Sequence, residues 1–347
     1  MTADSGQHQV VFRLNPSRRT GWGHLARCAA LASELRARGW WCALWADGDL
    51  SDAPPDLRFV YHKTLAAGPD WQEMPPPEVT TADWVVVDEY GIDDMQLKRL
   101  AGVLSRGKST RCPRLLVLDD EGRRRLDAAN LVLNSRLGLE RSLYAPNVSV
   151  LLGARYALLR TGLARPEDVA PPFPPDAEAV LVMLGGTDPR GLTPHVLETL
   201  TDIDPVRFCP VVVRTHQSHD ADAIRQALDR FSASAWLEGL GASTLAGWAR
   251  CCSFAISASG GSLYELAYFR LPFVAIVVAE NQRALAAEVA THWKMPVVDV
   301  DADVRKAVSS AFRALISADA ATRKSTLASV HIDGQGAARV VDAMEKL

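Results

Sequence analysis

The chain has 347 residues, about half of them apolar, enough to bury two packed α/β domains. Its 38 Lys and Arg nearly balance 41 Asp and Glu, and a formal charge of -3 argues against the basic footprint of a nucleic-acid partner. Residues 1–9 are polar and no later stretch reaches the ~18 unbroken apolar residues of a membrane span, so no membrane insertion and a cytoplasmic location are expected.

In chain order, Gln9 to Leu14 predicts a short strand, and 15–23 a polar, Gly-bearing turn. From His24 to Arg38, apolar Leu25, Cys28, Ala29, Leu31, Ala32 and Leu35 recur at helical spacing, with Gly39 as the stop. Trp40 to Trp45 resumes as a strand. Trp84 to Asp88 is a buried-type strand, followed by a helix from Asp93 to Ser105, then strands Leu115 to Leu118 and Asn130 to Leu133. These strands are apolar without alternation, as when helices cover both faces of a parallel sheet.

Prolines 166, 171, 172, 174 and 175 interrupt a stretch lacking apolar periodicity, which predicts a linker over 163–176. It divides an N-terminal Rossmann-like domain, 1–162, from a C-terminal one, 177–347. The clearest later strands are Ala179 to Leu184, Phe254 to Ser257 and Phe273 to Val277. The six cysteines (Cys28, Cys42, Cys112, Cys209, Cys251 and Cys252) form no C-x-x-C pair and mostly sit in apolar stretches, which fits buried thiols in a reducing compartment; neither a metal nor a cofactor is expected.

Two motifs carry chemistry. Gly21-Trp22-Gly23-His24 stands at a strand-loop-helix junction, where glycines allow close backbone approach and free first-turn amides favour an anion. The spacing is not G-x-G-x-x-G, which disfavours a nicotinamide cofactor. Alone, this motif is weak and fits a capping or packing histidine somewhat better. Ser259-Gly260-Gly261-Ser262 repeats the arrangement before the helix Leu263 to Phe269, where Glu265 is placed to accept ribose hydroxyls or simply to complement the helix dipole.

In open α/β sheets ligands sit at the carboxyl ends of the strands, where both loops lie, as do Asp88, Tyr90, Asp119 and Asp120. One interdomain cleft collecting them is the expected site, although turn chemistry explains Asp119 and Asp120 equally well. Glu280-Asn281-Gln282 follows a buried strand, and its amides suit hydroxyl or acetamido groups, with an N-cap at Asn281 as the alternative.

These segments resemble the PseG family. The resemblance is carried by Phe12-Arg13 through Gly21-Trp22-Gly23-His24-Leu25-Ala26-Arg27-Cys28, Val87 to Asp93, Leu118-Asp119-Asp120 and Leu152 to Arg160. It continues through Leu184-Gly185-Gly186-Thr187-Asp188-Pro189, Ser257 to Glu265, Glu280-Asn281-Gln282 and Asp333 to Val340, an ordered set across almost the whole chain. The family consists of GT-B-like hydrolases of pseudaminic acid biosynthesis that act on UDP-2,4-diacetamido-2,4,6-trideoxy-β-L-altropyranose. The C-terminal half also looks like the nucleotide-binding half of the MurG glycosyltransferase.

The resemblance implies two Rossmann-like domains with an interdomain cleft and a final helix, about 336–346, crossing back to the first domain. It implies a small-molecule UDP-sugar substrate and catalytic roles for His24 and Tyr90. Substrate-binding roles fall to Arg13, Asn15, Gly21, Gly23, Asp88, Gly186, Asn281 and Gln282. Ser259, Gly260, Gly261 and Ser262 would hold the diphosphate and Glu265 the ribose. In the implied mechanism His24 takes a proton from water as C1–O cleaves with inversion.

Two positions depart from the family pattern. Asn15 replaces the usual aspartate, and Leu126 stands near the place of a histidine. The alternative function is a GT-B glycosyltransferase that delivers the sugar to an acceptor hydroxyl. A catalytically silent sugar-nucleotide binder fits less well with the presence of His24, Tyr90 and both Gly-rich loops.

Overall fold

The structure, a computed structural model, describes residues 6–15, 22–47, 50–51, 53–89, 92–106, 112–185, 188, 190–214, 220–300 and 303–347. The chain forms two compact units, 1–161 with 334–347, and 162–333.

The first unit is built on seven strands: β1 Gln9–Leu14, β2 Trp41–Ala46, β3 Lys63–Ala66, β4 Trp84–Asp88, β5 Arg114–Leu118, β6 Leu131–Asn134 and β7 Ser149–Leu152. Helices α1 Gly23–Ala37, α2 Pro55–Arg58, α3 Pro77–Thr81 and α4 Asp94–Leu104 connect them. Every pairing is parallel and the order is β3-β2-β1-β4-β5-β6-β7. Alternate β1 residues feed opposite cores. Val10, Phe12 and Leu14 pack with Leu25, Leu31 and Leu35 of α1, whereas Val11 packs with Leu97, Leu100 and Leu104 of α4. Burial on both faces explains why these strands read as unbroken apolar runs.

The second unit contains β8 Glu178–Met183, β9 Phe208–Arg214, β10 Ala235–Glu238, β11 Phe254–Ala258, β12 Phe273–Val277 and β13 Val297–Asp299, also all parallel, in the order β10-β9-β8-β11-β12-β13. Its helices are α5 Thr193–Ile203, α6 Ala221–Leu228, α7 Ala242–Cys251, α8 Ser262–Tyr268, α9 Arg283–Glu288, α10 Val304–Ser317 and α11 Ala320–Ala328. The Pro-rich stretch 163–176 is fastened to α7 within this unit. Glu167 accepts from Thr244 Oγ1 (2.9 Å) and donates its amide to Ser243 O (3.1 Å), and Phe173 packs edge-on against Trp248.

The last helix, α12 Gly336–Lys346, belongs to the first unit. Val340, Val341 and Met344 enter the α1-side core. Arg38, just past α1, donates to Asp342 (2.7 Å), Glu345 (2.9 Å) and the Ala338 carbonyl (3.2 Å). Among the described residues no helix is long and apolar enough to cross a membrane.

The seating of α12 requires glycine at its first residue, because a Cβ at Gly336 would stand 2.1 Å from the Ala157 carbonyl oxygen. Backbone on both sides leaves no soft atom to yield. Gly336→Ala is therefore expected to cost about 1–3 kcal/mol, read as a lower urea midpoint with an unchanged slope. A midpoint equal to the parent's would show that α12 does not depend on this contact.

Candidate active site

In the first sheet β2 and β3 extend from one side of β1, and β4 to β7 from the other. The connections leaving β1 and β4 therefore diverge, which opens a crevice at their carboxyl ends, the place where doubly wound sheets take ligands. Helix α1 begins at this point. His24, Arg27 and Cys28 are spaced i, i+3, i+4, so they share one helix face. That face meets Asp88, the last residue of β4.

Asp88 is 1% exposed and collects donors from all three residues. His24 Nδ1 lies 2.6 Å from Oδ1, Arg27 reaches Oδ1 through Nη2 (2.5 Å) and Oδ2 through Nε (2.6 Å), and Cys28 Sγ stands 3.5 Å from Oδ2. Burial alone would raise the Asp88 carboxyl, but the Arg27 and His24 charges outweigh it and hold the group well below its ordinary 3.8. An ionised carboxylate only accepts hydrogen bonds, so Nδ1 of His24 carries a hydrogen, and Nε2 is the nitrogen left to exchange a proton with a ligand. His24 remains 12% exposed at the mouth of the crevice.

Asp119 and Asp120 do different work. Asp120 accepts from Arg27 Nη1 at 2.8 and 2.9 Å, which extends the network across to the end of β5. Asp119 accepts the amides of Glu121 (3.3 Å) and Gly122 (2.9 Å), the Tyr144 hydroxyl (2.8 Å) and Arg124 (3.3 Å), so it performs turn chemistry. Leu126, near the family's histidine position, is buried in the α4-side core with φ 51°.

Arg13, expected to bind substrate, is wholly buried and engaged by protein groups. Its guanidinium lies 4.4 Å from the Trp71 ring and 5.7 Å from that of Trp45, and it donates to Leu14 O (2.6 Å) and Asp47 (2.6 Å). Glu89 Oε2 is 2.9 Å from Nη2. What Arg13 presents to the crevice is thus a pair of carboxylates, Asp47 from beyond β2 and Glu89 from beyond β4. Asn15 is exposed and hydrogen-bonds Glu89. Asp120 was placed at the expected site with turn chemistry as the alternative, whereas Arg27, Asp47 and Glu89 were given no role from sequence, although the His24-x-x-Arg27-Cys28 spacing was a readable sign of one functional helix face. Gly23 opens α1 in the crevice, whereas Tyr90 and Gly21 lie outside the described residues.

The second unit has its own divergence, between β8 and β11. Ser259, Gly260, Gly261 and Ser262 leave β11 there and lead into α8. Ser257 Oγ donates to Met183 O (3.0 Å) and lies 3.1 Å from Ser262 Oγ, which ties the two strand ends together. Ser259 is 1% exposed, and its Oγ has no hydrogen-bond partner among the described residues. Such an orphan costs about 1–3 kcal/mol unless a ligand satisfies it. Gln282 gives its carbonyl oxygen to the Val278 amide (2.9 Å), and its Nε2 sits next to Gly260. Asn281 is exposed in the short turn Glu280–Gln282, and Glu265 is buried within α8.

On the β8 side, Asp188 is buried in the left-handed region (φ 42°). It accepts the Leu192 and Thr193 amides (3.0 and 2.8 Å), the Thr193 hydroxyl (2.6 Å) and Arg214 (2.9 Å), bracing the connection from β8 to α5. Gly186 lies outside the described residues.

Replacing Asp88 by asparagine strips Arg27 and His24 of a buried counter-charge. The expected loss is about 3 kcal/mol at pH 7, the low end for a broken buried pair because Arg27 keeps Asp120. Because the folded carboxyl titrates below its unfolded 3.8, its stabilisation is complete above that value and is lost as pH falls through the folded one. Urea midpoints of parent and Asp88→Asn should therefore converge as pH drops below about 4. A pH-independent difference would mean that charge is not what Asp88 contributes.

No protein-family model matches the chain, and no curated protein matches it. Solved structures do match over its whole length. The calicheamicin glycosyltransferase CalG4 is 13% identical with a TM-score of 0.67, covering 99% of this chain and 98% of that one. MurG of Acinetobacter baumannii is 12% identical with a TM-score of 0.67, covering 98% and 100%. The spinosyn rhamnosyltransferase SpnG complexed with thymidine diphosphate is 13% identical with a TM-score of 0.62, covering 98% and 100%. Together with the two parallel sheets, these similarities give the chain an α/β, two-domain GT-B fold.

Proposed function

We propose that this protein breaks the anomeric C–O bond of a UDP-sugar, with His24 as the base that activates the incoming O–H group. The observation that carries this reading is the 2.6 Å contact of His24 Nδ1 with a buried, ionised Asp88, which directs the basic Nε2 to an incoming proton. As Nε2 takes the proton, the nucleophile's oxygen bonds to C1. The C1–O bond breaks, and its electron pair leaves on the diphosphate.

The second unit's Gly-rich loop supports the nucleotide half of the chemistry. A diphosphate oxygen would accept from Ser259 Oγ, the buried hydroxyl without a protein partner, and two successive glycines keep side chains out of its way. The PseG resemblance assigns ribose to Glu265 and a catalytic role to Tyr90, and it supports UDP as the nucleotide.

Two nucleophiles fit this base. The glycosyltransferases among the solved structures support transfer to an acceptor hydroxyl. The resemblance supports water, with release of a free 2,4-diacetamido-2,4,6-trideoxyhexose in pseudaminic acid biosynthesis, a route to flagellin glycosylation. UDP release from UDP-sugars separates them: turnover without acceptor establishes hydrolysis, turnover only with an added hydroxyl acceptor establishes transfer, and none in either case contradicts the assignment.

On the substrate so identified, His24→Asn is expected to lower turnover about 10²–10⁴-fold, the usual loss of general-base help. UDP affinity, measured by calorimetry, should stay within about threefold, since a base adds little to ground-state binding. Turnover within about threefold of the parent would remove His24 from the mechanism.

A further inference from the structure

Glu89 follows Asp88 directly, at the carboxyl end of β4 where the crevice opens. Its side chain is 13% exposed. Oε2 is buried and, although 2.9 Å from Arg13 Nη2, has no donor aligned to hydrogen-bond it among the described residues. Arg13 is shared between two carboxylates, pairing with Asp47 at 2.6 Å and Glu89 at 2.9 Å. Burial raises the Glu89 carboxyl and Asp47 adds to the rise, while Arg13, Asn15 and the nearby His24 oppose it. Asn15 takes up part of the Glu89 carboxylate's accepting capacity, Oε2 keeps lone pairs that no aligned donor among the described residues uses, and His24 is close enough for the two charges to interact.

We propose that Glu89 is a catalytic residue that accepts a hydrogen bond from a second O–H group beside the one His24 deprotonates. This rests on the reading of His24 given above. Two sources supply such a pair of O–H groups. One is water, whose second proton must point at an acceptor if a lone pair is to face the anomeric carbon. The other is a polyol acceptor, whose neighbouring hydroxyl would fill the same place. In both cases Glu89 selects against a nucleophile with a single O–H, because an alkyl group there would desolvate a carboxylate and give nothing in return.

The test is product partition in the 347-residue protein, for which UDP-glucose, UDP-N-acetylglucosamine and UDP-2,4-diacetamido-2,4,6-trideoxy-β-L-altropyranose serve as donors. UDP, free sugar, methyl glycoside and 2-hydroxyethyl glycoside are quantified in buffer alone, with methanol, and with ethylene glycol, for the parent, Glu89→Ala and Glu89→Gln. If Glu89 orients water, both variants lose hydrolysis at least about tenfold relative to methanolysis, with UDP affinity unchanged. If it holds a neighbouring hydroxyl, the parent prefers ethylene glycol over methanol and both variants lose that preference. Either outcome supports the proposal.

A merely structural role would lower all products together and leave their ratios fixed. Ratios within twofold of the parent in both variants overturn the proposal. Should Glu89→Ala fail to fold, Glu89→Gln, which keeps the shape but replaces one acceptor oxygen by a donor, decides alone. A parent that binds UDP but releases none from any of the three donors, with or without the alcohols, overturns the reading of His24 and this proposal with it. A changed ratio with active His24 chemistry cannot be mistaken for that result.

Discussion

A carboxylate removed from water beside strongly charged partners is the constraint around which the first unit's crevice is arranged. Transfer of Asp88 into the sheet's carboxyl edge costs several kcal/mol unless its charge is matched. The match comes from one face of α1: Arg27 supplies two hydrogen bonds, His24 one and Cys28 a weak one. Arg27 then reaches on to Asp120, so α1, β4 and the connection after β5 are held by a single guanidinium. The same carboxylate that pins the helix also sets the orientation of the imidazole. Fold stability and the state of the candidate base are therefore coupled through one side chain.

The second constraint is topological. Each unit's sheet reverses its winding once, between β1 and β4 and between β8 and β11, and each reversal opens its strand ends to a ligand. The first is lined by charged side chains suited to proton transfer. The second is lined by glycines and serines suited to a phosphate, with Asp188 and Arg214 buried beneath the β8 side as a brace. The two units thus differ in chemistry although they share one winding pattern.

The strands that read most clearly in the sequence are the central ones, β1, β4, β5, β8, β11 and β12, because burial on both faces leaves an unbroken apolar run. The edge strand β3, with three of its four residues exposed, and the short β10 and β13 carry no such run and were not anticipated. The Gly-rich loops and His24 were visible as local motifs. The partners were less so: Asp47 and Glu89 join the crevice only once parallel pairing places distant strand ends side by side. Arg13 illustrates the converse. The resemblance implies a substrate-binding role for it, yet two tryptophans and two carboxylates from about 30 to 80 residues away engage its guanidinium.

The tautomer of His24 is the point where structure and proposed chemistry meet, and nitrogen-15 NMR of the imidazole reads it directly. In the parent's neutral ring form, Nδ1 should carry the hydrogen and Nε2 should show the shift of an unprotonated nitrogen. In Asp88→Asn the ring should lose this preference. A parent ring protonated at Nε2 with Nδ1 bare would contradict the account, because the nitrogen assigned to receive the nucleophile's proton would already hold one.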